Sequence, residues 1–392
     1  MKETVILDGK RTPFGRFGGK LKNIPAVDLG SKVIKELISR NNIDVEKVDE
    51  VIIGMVVPAG TGQIPGRQAA LNAGLPAQTP CLTINKVCSS SLKAVSLASQ
   101  IIKVGDAELI ISGGIENMSQ APYLLPNARW GYKLWDATLV DAVVKDGLWC
   151  PFEDVHMGTN TDIVAEEYDI SREEQDKWAL RSHMLWAEAQ DAGRFKDEII
   201  PIEIPQRKGP AVIFDFDERP RRDTSLEKLA KLKPVFRENG TITAGNAPGI
   251  NDGAAALIVS SHKKAEELGI EPIAKIIDYT QVATDPKYFA ITPALATKKL
   301  LAKNDITLKD IDLIEINEAF AAVTLVCIKI LGANPDKVNV NGGAVAIGHP
   351  IGASGGRILM TLIYELKRRG LKRGIAAICA GTAQSDAMLV EV

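Results

Sequence analysis

No run of about 18 apolar residues occurs in the 392-residue chain, which excludes a membrane-spanning helix. The N-terminal MKETVILDGKRTPFGRFGG has neither an apolar secretory core nor an Arg-rich amphipathic leader, so the expected location is the cytoplasm. Net charge is only -2 with 24% charged residues, which removes the electrostatic footprint that nucleic acid or an anionic membrane would require. Cysteine is scarce: Cys81, Cys88, Cys150, Cys327 and Cys379 are odd in number, widely spaced and form no C-x-x-C. That argues against a disulfide framework or a zinc site and leaves five thiols, inert or reactive. Histidine is scarcer still, at four, and aromatic residues make up only 5%.

What is present is globular. Hydrophobic residues make up 45%, and the length suits two or three ordinary domains. Through the first ~120 residues, Val/Ile-rich runs (VILDG, DEVIIGMVV, AELIISGG) alternate with amphipathic segments such as AVDLGSKVIKELISR, the rhythm of an α/β fold. From about 121 to 248 the rhythm breaks, and all five tryptophans (130, 135, 149, 178, 186) fall there, which reads as an insertion. Within it Ser171 and Glu174 form a capping box before a long helix ending near Gly193, and RRDTSLEKLAKLK carries a short basic helix. The α/β rhythm resumes at NDGAAALIVSS and lasts to the C-terminus.

The chain also repeats itself. LISRNNIDVEKVDEVIIG (37–54) superposes without a gap on LLAKNDITLKDIDLIEIN (300–317), with Leu37, Asn41, Ile43, Asp49 and Ile53 recurring as Leu300, Asn304, Ile306, Asp312 and Ile316. At the same offset Cys88 falls two residues past His349, in GHPIGASGG. Two pseudo-equivalent halves thus each present a small-residue loop that opens a helix, where α/β proteins place chemistry.

Cys88 reads as a small core residue or as a nucleophile. A helix N-terminus favours the second reading, because its unpaired N–H groups and dipole stabilise a thiolate. Ser89, Ser90 and Ser91 either cap that helix or keep its entrance open to substrate. His349, among glycines and alanines, is a candidate base. Cys379 closes the strand GIAAIC and is either core or a second acid–base group. Asn317 either caps the following helix or holds a water and an oxyanion. His183 and His262 are expected on the surface, His156 is undecided, and Cys81, Cys150 and Cys327 are taken as structural.

DGKRTPFGRFGG, IPGRQAALNAGLP, NKVCSSSLKAV, SGGIENMSQAPY, HMG, AGNAPGINDGAAA, NEAFA, GGAVAIGHPIGASG and the last cysteine occur in order across essentially the whole chain. In these it resembles the thiolases, in particular the short-chain acetyl-CoA acetyltransferases. The resemblance implies an α/β fold of two duplicated halves in a five-layer α-β-α-β-α sandwich: residues 1–120 plus 249–270, and 271–392, with 121–248 as an inserted loop domain. It implies Cys88 as the acyl-accepting nucleophile, His349 as its activator and Cys379 as the thiol that moves the α-proton. Asn317 would hold a water that joins His349 in one oxyanion hole, and the amides of Cys88 and Gly381 would form the other. His156 and Met157 would lie near the pantetheine and acyl group, with Arg221, Phe236 and Ala244 contacting coenzyme A. Acetyl-CoA, acetoacetyl-CoA and CoA are the implied partners, with no cofactor or metal and no nucleic acid or membrane, in a homotetramer or dimer. A broader-chain 3-ketoacyl-CoA thiolase, or a thiolase-like subunit with weakened condensation, is the alternative.

The family glycines are replaced here by Ser89, Ser91, Thr382, Ala383 and Ser385, and Pro248 stands where a serine is common. The added side chains are expected to narrow the acyl pocket or stiffen its loops.

Overall fold

The computed structural model describes residues 2–392. In chain order the first half comprises β1 (Thr4–Arg11), α1 (Ala26–Arg40), β2 (Glu50–Gly54), α2 (Pro65–Asn72), β3 (Cys81–Ile84), α3 (Ser90–Val104) and β4 (Leu109–Asn117). The insertion holds α4 (Met157–Glu167) and α5 (Arg172–Asp191), after which β5 (Asn251–Ser261) completes the first sheet. The second half comprises β6 (Ala274–Ala283), α6 (Thr292–Lys303), β7 (Leu313–Ile316), α7 (Ala321–Leu331), α8 (Ser354–Arg369), β8 (Arg373–Ala380) and β9 (Gln384–Glu391).

The first sheet runs β3-β2-β4-β5-β1 and the second β7-β8-β9-β6, with β2, β3 and β4 mutually parallel, β7 parallel to β8, and the other pairs antiparallel. β1 meets β6 through Val5 with Lys275 and Ile6 with Ala274, joining the two sheets edge to edge. Helices α3 and α8 pack on each other between the sheets, α1 and α2 cover one outer face, and α6 and α7 cover the other. This is the five-layer α-β-α-β-α sandwich.

Covering both faces of a strand removes its need for polar alternation, so β4 (LIISGGIEN) and β5 (NDGAAALIVSS) are buried at every position. The small residues there let the next layer approach: a Cβ on Gly114 would overlap the Gly352 carbonyl in the loop that opens α8. α1 shows the opposite pattern, burying Val27, Leu29, Val33, Ile34, Leu37 and Ile38 while Lys32 and Lys35 face solvent.

The residues that recur between halves are the joints of each half. Asn41 Nδ2 donates to Leu37 O at 2.8 Å and to Asp8 at 2.9 Å; Asn304 Nδ2 donates to Leu300 O at 2.9 Å and to Asp278 at 3.1 Å. Asp49 accepts the amides of Glu108 and Leu109, and Asp312 those of Lys372 and Arg373, so each aspartate pins the start of the strand beside its own. Even the β-bulges recur, between Ile6 and Asp8 and between Ile276 and Asp278.

Because β4 and β5 are paired neighbours from Asn117–Asp252 to Leu109–Ser260, all the chain between them is an excursion from the sheet. Its anchor is fully buried Arg11 of β1, which donates to Glu198 and to both oxygens of Asp217. The capping box is present at Ser171 and Glu174, α5 stops at Asp191, and Leu226–Ala230 forms the short basic helix. One expectation fails here: His183 is buried on the inner side of α5, not exposed, and its Nδ1 accepts the Arg221 N–H at 3.1 Å. Burial and the charges of Arg219 and Arg221 push this imidazole down to about 3, so it serves as a neutral acceptor. His262 does lie exposed at a helix start. Among the described residues no helix is long and apolar enough to cross a membrane.

Candidate active site

Four loops deliver the candidate residues to one region between the halves. The first is the turn after β3, where Val87 takes φ 48°. A β-branched residue in the left-handed region is strained, and the strain is held by Ser90, whose hydroxyl donates to Val87 O at 2.7 Å and accepts Lys86 N at 2.8 Å. The turn presents Cys88 just before α3. The second loop follows β8: Gly381, then Thr382 and Ala383 at φ 61° and 55°, the two positive angles of a tight hairpin. The third runs through Gly348 and His349 to α8, and the fourth is Asn317–Glu318 after β7.

Cys88, His349, Gly381, His156, Met157, Phe236 and Ala244 line a single cavity of about 310 Å³, and Pro248 lies in the same wall. His156 stacks on Phe236 (centroids 4.4 Å apart, planes at 14°), and Phe236 meets Phe320 edge-on at 5.9 Å. His156 Nδ1 accepts Gly158 N at the start of α4, and burial pushes its ring down to about 4. Asn317 and Cys379 are fully buried behind the cavity surface, and Arg221 is exposed and outside it.

Of the two effects expected of the substituted glycines, narrowing of the pocket is not seen. Ser89, Ser91, Thr382, Ala383 and Ser385 are all absent from the cavity wall. Ser89 occupies the N-cap position of α3 but makes no cap bond; its hydroxyl donates across the halves to Ile378 O at 3.3 Å. Ser91 accepts the Gly356 N–H of α8 at 2.8 Å. The apolar packing of α3 on α8 turns both side chains away from substrate space.

The backbone N–H groups of Cys88 and Gly381, one from each half, lie beside Cys88 Sγ and favour its thiolate. Even so, burial dominates and pushes the thiol up to about 12, with buried Glu116 adding to the rise. The thiolate expected from the helix N-terminus is therefore not the resting form. Burial, with the charge of Cys88 and then Cys327, holds Cys379 well above the usual thiol range. Burial and the charge of Arg357 push His349 down to about 3.

The tautomer of His349 follows from its partners. The Ser354 hydroxyl has one proton and donates it to Pro350 O at 2.8 Å, so His349 Nδ1, 2.5 Å from Ser354 Oγ, is the N–H donor. Nε2 is left with its lone pair toward Asn317 Nδ2 at 3.5 Å. The ring is placed by its own backbone, since His349 N donates to Asn251 Oδ1 at 3.1 Å. Asn317 Oδ1 is buried with no partner among the described residues, an acceptor free for a water.

Ser354, Asn251 and Glu318 were not singled out in the sequence. Glu318 accepts from Trp178 Nε1 (2.8 Å), Ser182 Oγ (2.9 Å), Val345 N (2.9 Å) and Asn339 Nδ2 (3.1 Å), tying the insertion to the loops that carry Asn317 and His349. Glu116 does similar work beside Cys88, accepting the amides of Val56, Val57 and Gly352. The signal for Ser354 and Glu318 was their place inside GHPIGASGG and NEAFA.

This arrangement places a half-buried thiol and a neutral imidazole on one cavity wall, with two amides beside the sulfur and a second thiol close by. Family models for the N-terminal and C-terminal domains of thiolase match residues 4–263 and 270–392. The chain is 51% identical over 391 residues to an acetyl-CoA acetyltransferase of Cupriavidus necator, covering 100% of both chains. It is 50% identical over 394 residues to one of Syntrophomonas wolfei, covering 100% of this chain and 99% of that one. The crystal structure of the Bacillus anthracis acetyl-CoA acetyltransferase superposes with a TM-score of 0.97 at 45% identity, covering 100% of this chain and 99% of that one.

Proposed function

The chain belongs to the thiolase family, and from that premise we propose that it is an acetyl-CoA acetyltransferase, joining two acetyl-CoA into acetoacetyl-CoA and CoA and running the same reaction in reverse. The observation that supports this reading best is the approach of the Cys88 and Gly381 amides to the Cys88 sulfur, in one cavity with His349, whose unprotonated Nε2 faces Asn317 Nδ2. Such donors lie where an oxyanion would develop on a group bonded to that sulfur.

In this reading Cys88 Sγ attacks the thioester carbonyl as its proton passes to His349 Nε2 and on to the departing CoA sulfur. The acetyl group is left on Cys88 with its oxygen between the two amides. Cys379 then gives its own proton to His349 Nε2 and, as thiolate, takes the α-proton of a second acetyl-CoA. A water on Asn317, joined by Nε2–H while His349 carries the proton, holds the enolate oxygen. The enolate carbon attacks the acetyl-enzyme, the C–C bond forms, and Cys88 leaves as thiolate and recovers its proton from His349 Nε2, which leaves both thiols and the imidazole neutral again. No cofactor beyond the CoA substrates takes part.

The apolar cavity, walled by Met157, Phe236 and Phe320, suits pantetheine and a short acyl group, and exposed Arg221 is assigned to the nucleotide phosphates. The insertion also projects Tyr123, Trp130, Leu134 and Trp135, the tryptophans 85% and 88% exposed, which favours assembly into a homotetramer. Its place of work is read as the cytoplasm. Incubation with acetyl-CoA should add one acetyl mass to the peptide containing Cys88, and acetoacetyl-CoA should be cleaved by free CoA, fastest at the shortest 3-oxoacyl chain. Thioester hydrolysis without CoA-dependent transfer would overturn the reading.

A further inference from the structure

The two amides that lie beside Cys88 Sγ come from different halves, Cys88 N from the turn before α3 and Gly381 N from the hairpin after β8. Their relative position therefore depends on what crosses between those loops. Lys86, two residues before Cys88, reaches over and pairs with Asp386 of β9 at 2.7 Å, with side chains only 14% and 4% exposed. The same ammonium donates to Gln281 Oε1 at 3.1 Å. Gln281 is the β6 partner of Asp386, and Ile378 is its β8 partner. Ile378 O in turn accepts from Ser89 at 3.3 Å and from Ser385 at 2.7 Å. Lys86 meets Asp386 as an ion pair, and neither oxygen of that carboxylate has a hydrogen-bond partner among the described residues. Neither Lys86 nor Asp386 touches the cavity.

We propose that Lys86 and Asp386, with Ser89 and Ser385 on the Ile378 carbonyl, form a latch that holds the Cys88 amide in register with the Gly381 amide. Lys86 and Asp386 are then positioning residues for acyl transfer. A buried ion pair need add nothing to stability, because desolvation offsets its attraction and an apolar pair of similar size serves as well. What it supplies here is position: an ammonium that donates to Gln281 and pairs with Asp386 on the neighbouring strand fixes residue 86, and through strained Val87 the amide of residue 88. An oxyanion hole loses its effect when a donor is displaced by a fraction of an ångström to an ångström. The latch rests on the acyl-transfer reading above, and its test separates the two.

The experiment compares Lys86→Met, Asp386→Asn, the apolar pair Lys86→Met with Asp386→Leu, and Lys86→Arg. Two readouts are used: steady-state cleavage of acetoacetyl-CoA by CoA, and the pH dependence of Cys88 alkylation by iodoacetamide. The apolar pair should keep a Tm near that of the parent while kcat falls about 10- to 100-fold and KM stays within about twofold. Lys86→Arg, which keeps the cation, should recover most of the kcat. Lys86→Met leaves a buried anion near Cys88 and should move the alkylation profile to higher pH; Asp386→Asn leaves a cation and should move it lower. Lys93, Glu116 and Cys379, the other titratable groups around this joint, are the same in every variant. Unchanged kcat in the apolar pair, or profiles that shift the same way in both single variants, would overturn the latch. If the parent protein neither acetylates at Cys88 nor cleaves acetoacetyl-CoA, the acyl-transfer reading fails. The opposite-sign alkylation shifts still judge the latch in that case, because they need no substrate.

Discussion

Titrating the reactivity of Cys88 separates two pictures of how its thiol is activated. In the free protein burial moves the thiol from 9 to about 12, three units or about 4 kcal/mol. The dipole of a helix start returns about 0.3–1 kcal/mol and at most about 2, so burial wins. Burial also pushes His349 down to about 3, so moving the proton from sulfur to Nε2 in the resting site is uphill on both sides. The resting pair is therefore neutral thiol and neutral imidazole.

Alkylation of Cys88 by iodoacetamide, followed by peptide mass spectrometry from pH 6 to 10, should rise about tenfold per pH unit with no plateau. Acetylation by acetyl-CoA should be nearly flat over pH 6–9, because Nε2 stays an available base throughout and the sulfur loses its proton only as it attacks. His349→Ala should abolish the acetylation and leave the slope of alkylation unchanged. An alkylation plateau below pH 8 that disappears in His349→Ala would refute the reasoning, since only a preformed thiolate–imidazolium pair gives that result.

Ser354→Ala removes the acceptor for His349 Nδ1–H, so kcat should fall about tenfold or more while Tm changes by no more than about 2 °C; unchanged kcat in steady-state assays would show that the tautomer is held elsewhere. Glu318→Gln turns an amide toward two of the four donors, and losing two hydrogen bonds to a carboxylate at ~1.5–3 kcal/mol each gives ~3–6 kcal/mol. With an unfolding entropy of ~2.1 cal/mol/K per residue over 392 residues, or ~0.8 kcal/mol/K, calorimetry should show Tm lower by ~4–7 °C. Gly343→Ala places a Cβ into that same carboxylate, which its four donors prevent from moving, so its Tm should fall further than that of Glu318→Gln; a Tm equal to the parent's would show that the loop yields.

How much of the site could be read in advance depended on whether a residue's role was local. Asn41, Asp49 and their counterparts Asn304 and Asp312 recur because each pins one joint, so the duplication could be inferred from residues a short distance apart, whereas the layer order was implied by the family resemblance. Cys88 and His349 could be singled out because each stands in a loop opening a helix. His183 was misplaced because helical periodicity shows which residues share a face, and the partner of that face, Arg221 on a distant loop, is set by the insertion's own folding. The serines were read as pocket walls because a list of residues around a cysteine carries no direction. The packing of α3 on α8 turned Ser89 and Ser91 toward the other half.

The sequence by itself determined the duplicated α/β framework and singled out candidate reactive side chains, because periodicity, repetition and loop chemistry are properties of short segments. Only the tertiary structure decided their states and their assembly. Protonation of Cys88 and His349 depends on burial, which neighbours from the other half impose. The pairing of the Cys88 and Gly381 amides depends on contacts such as Lys86 to Asp386 between residues 300 positions apart in the chain. Desolvation and long-range contact are many-body quantities, fixed when the two sheets close on α3 and α8.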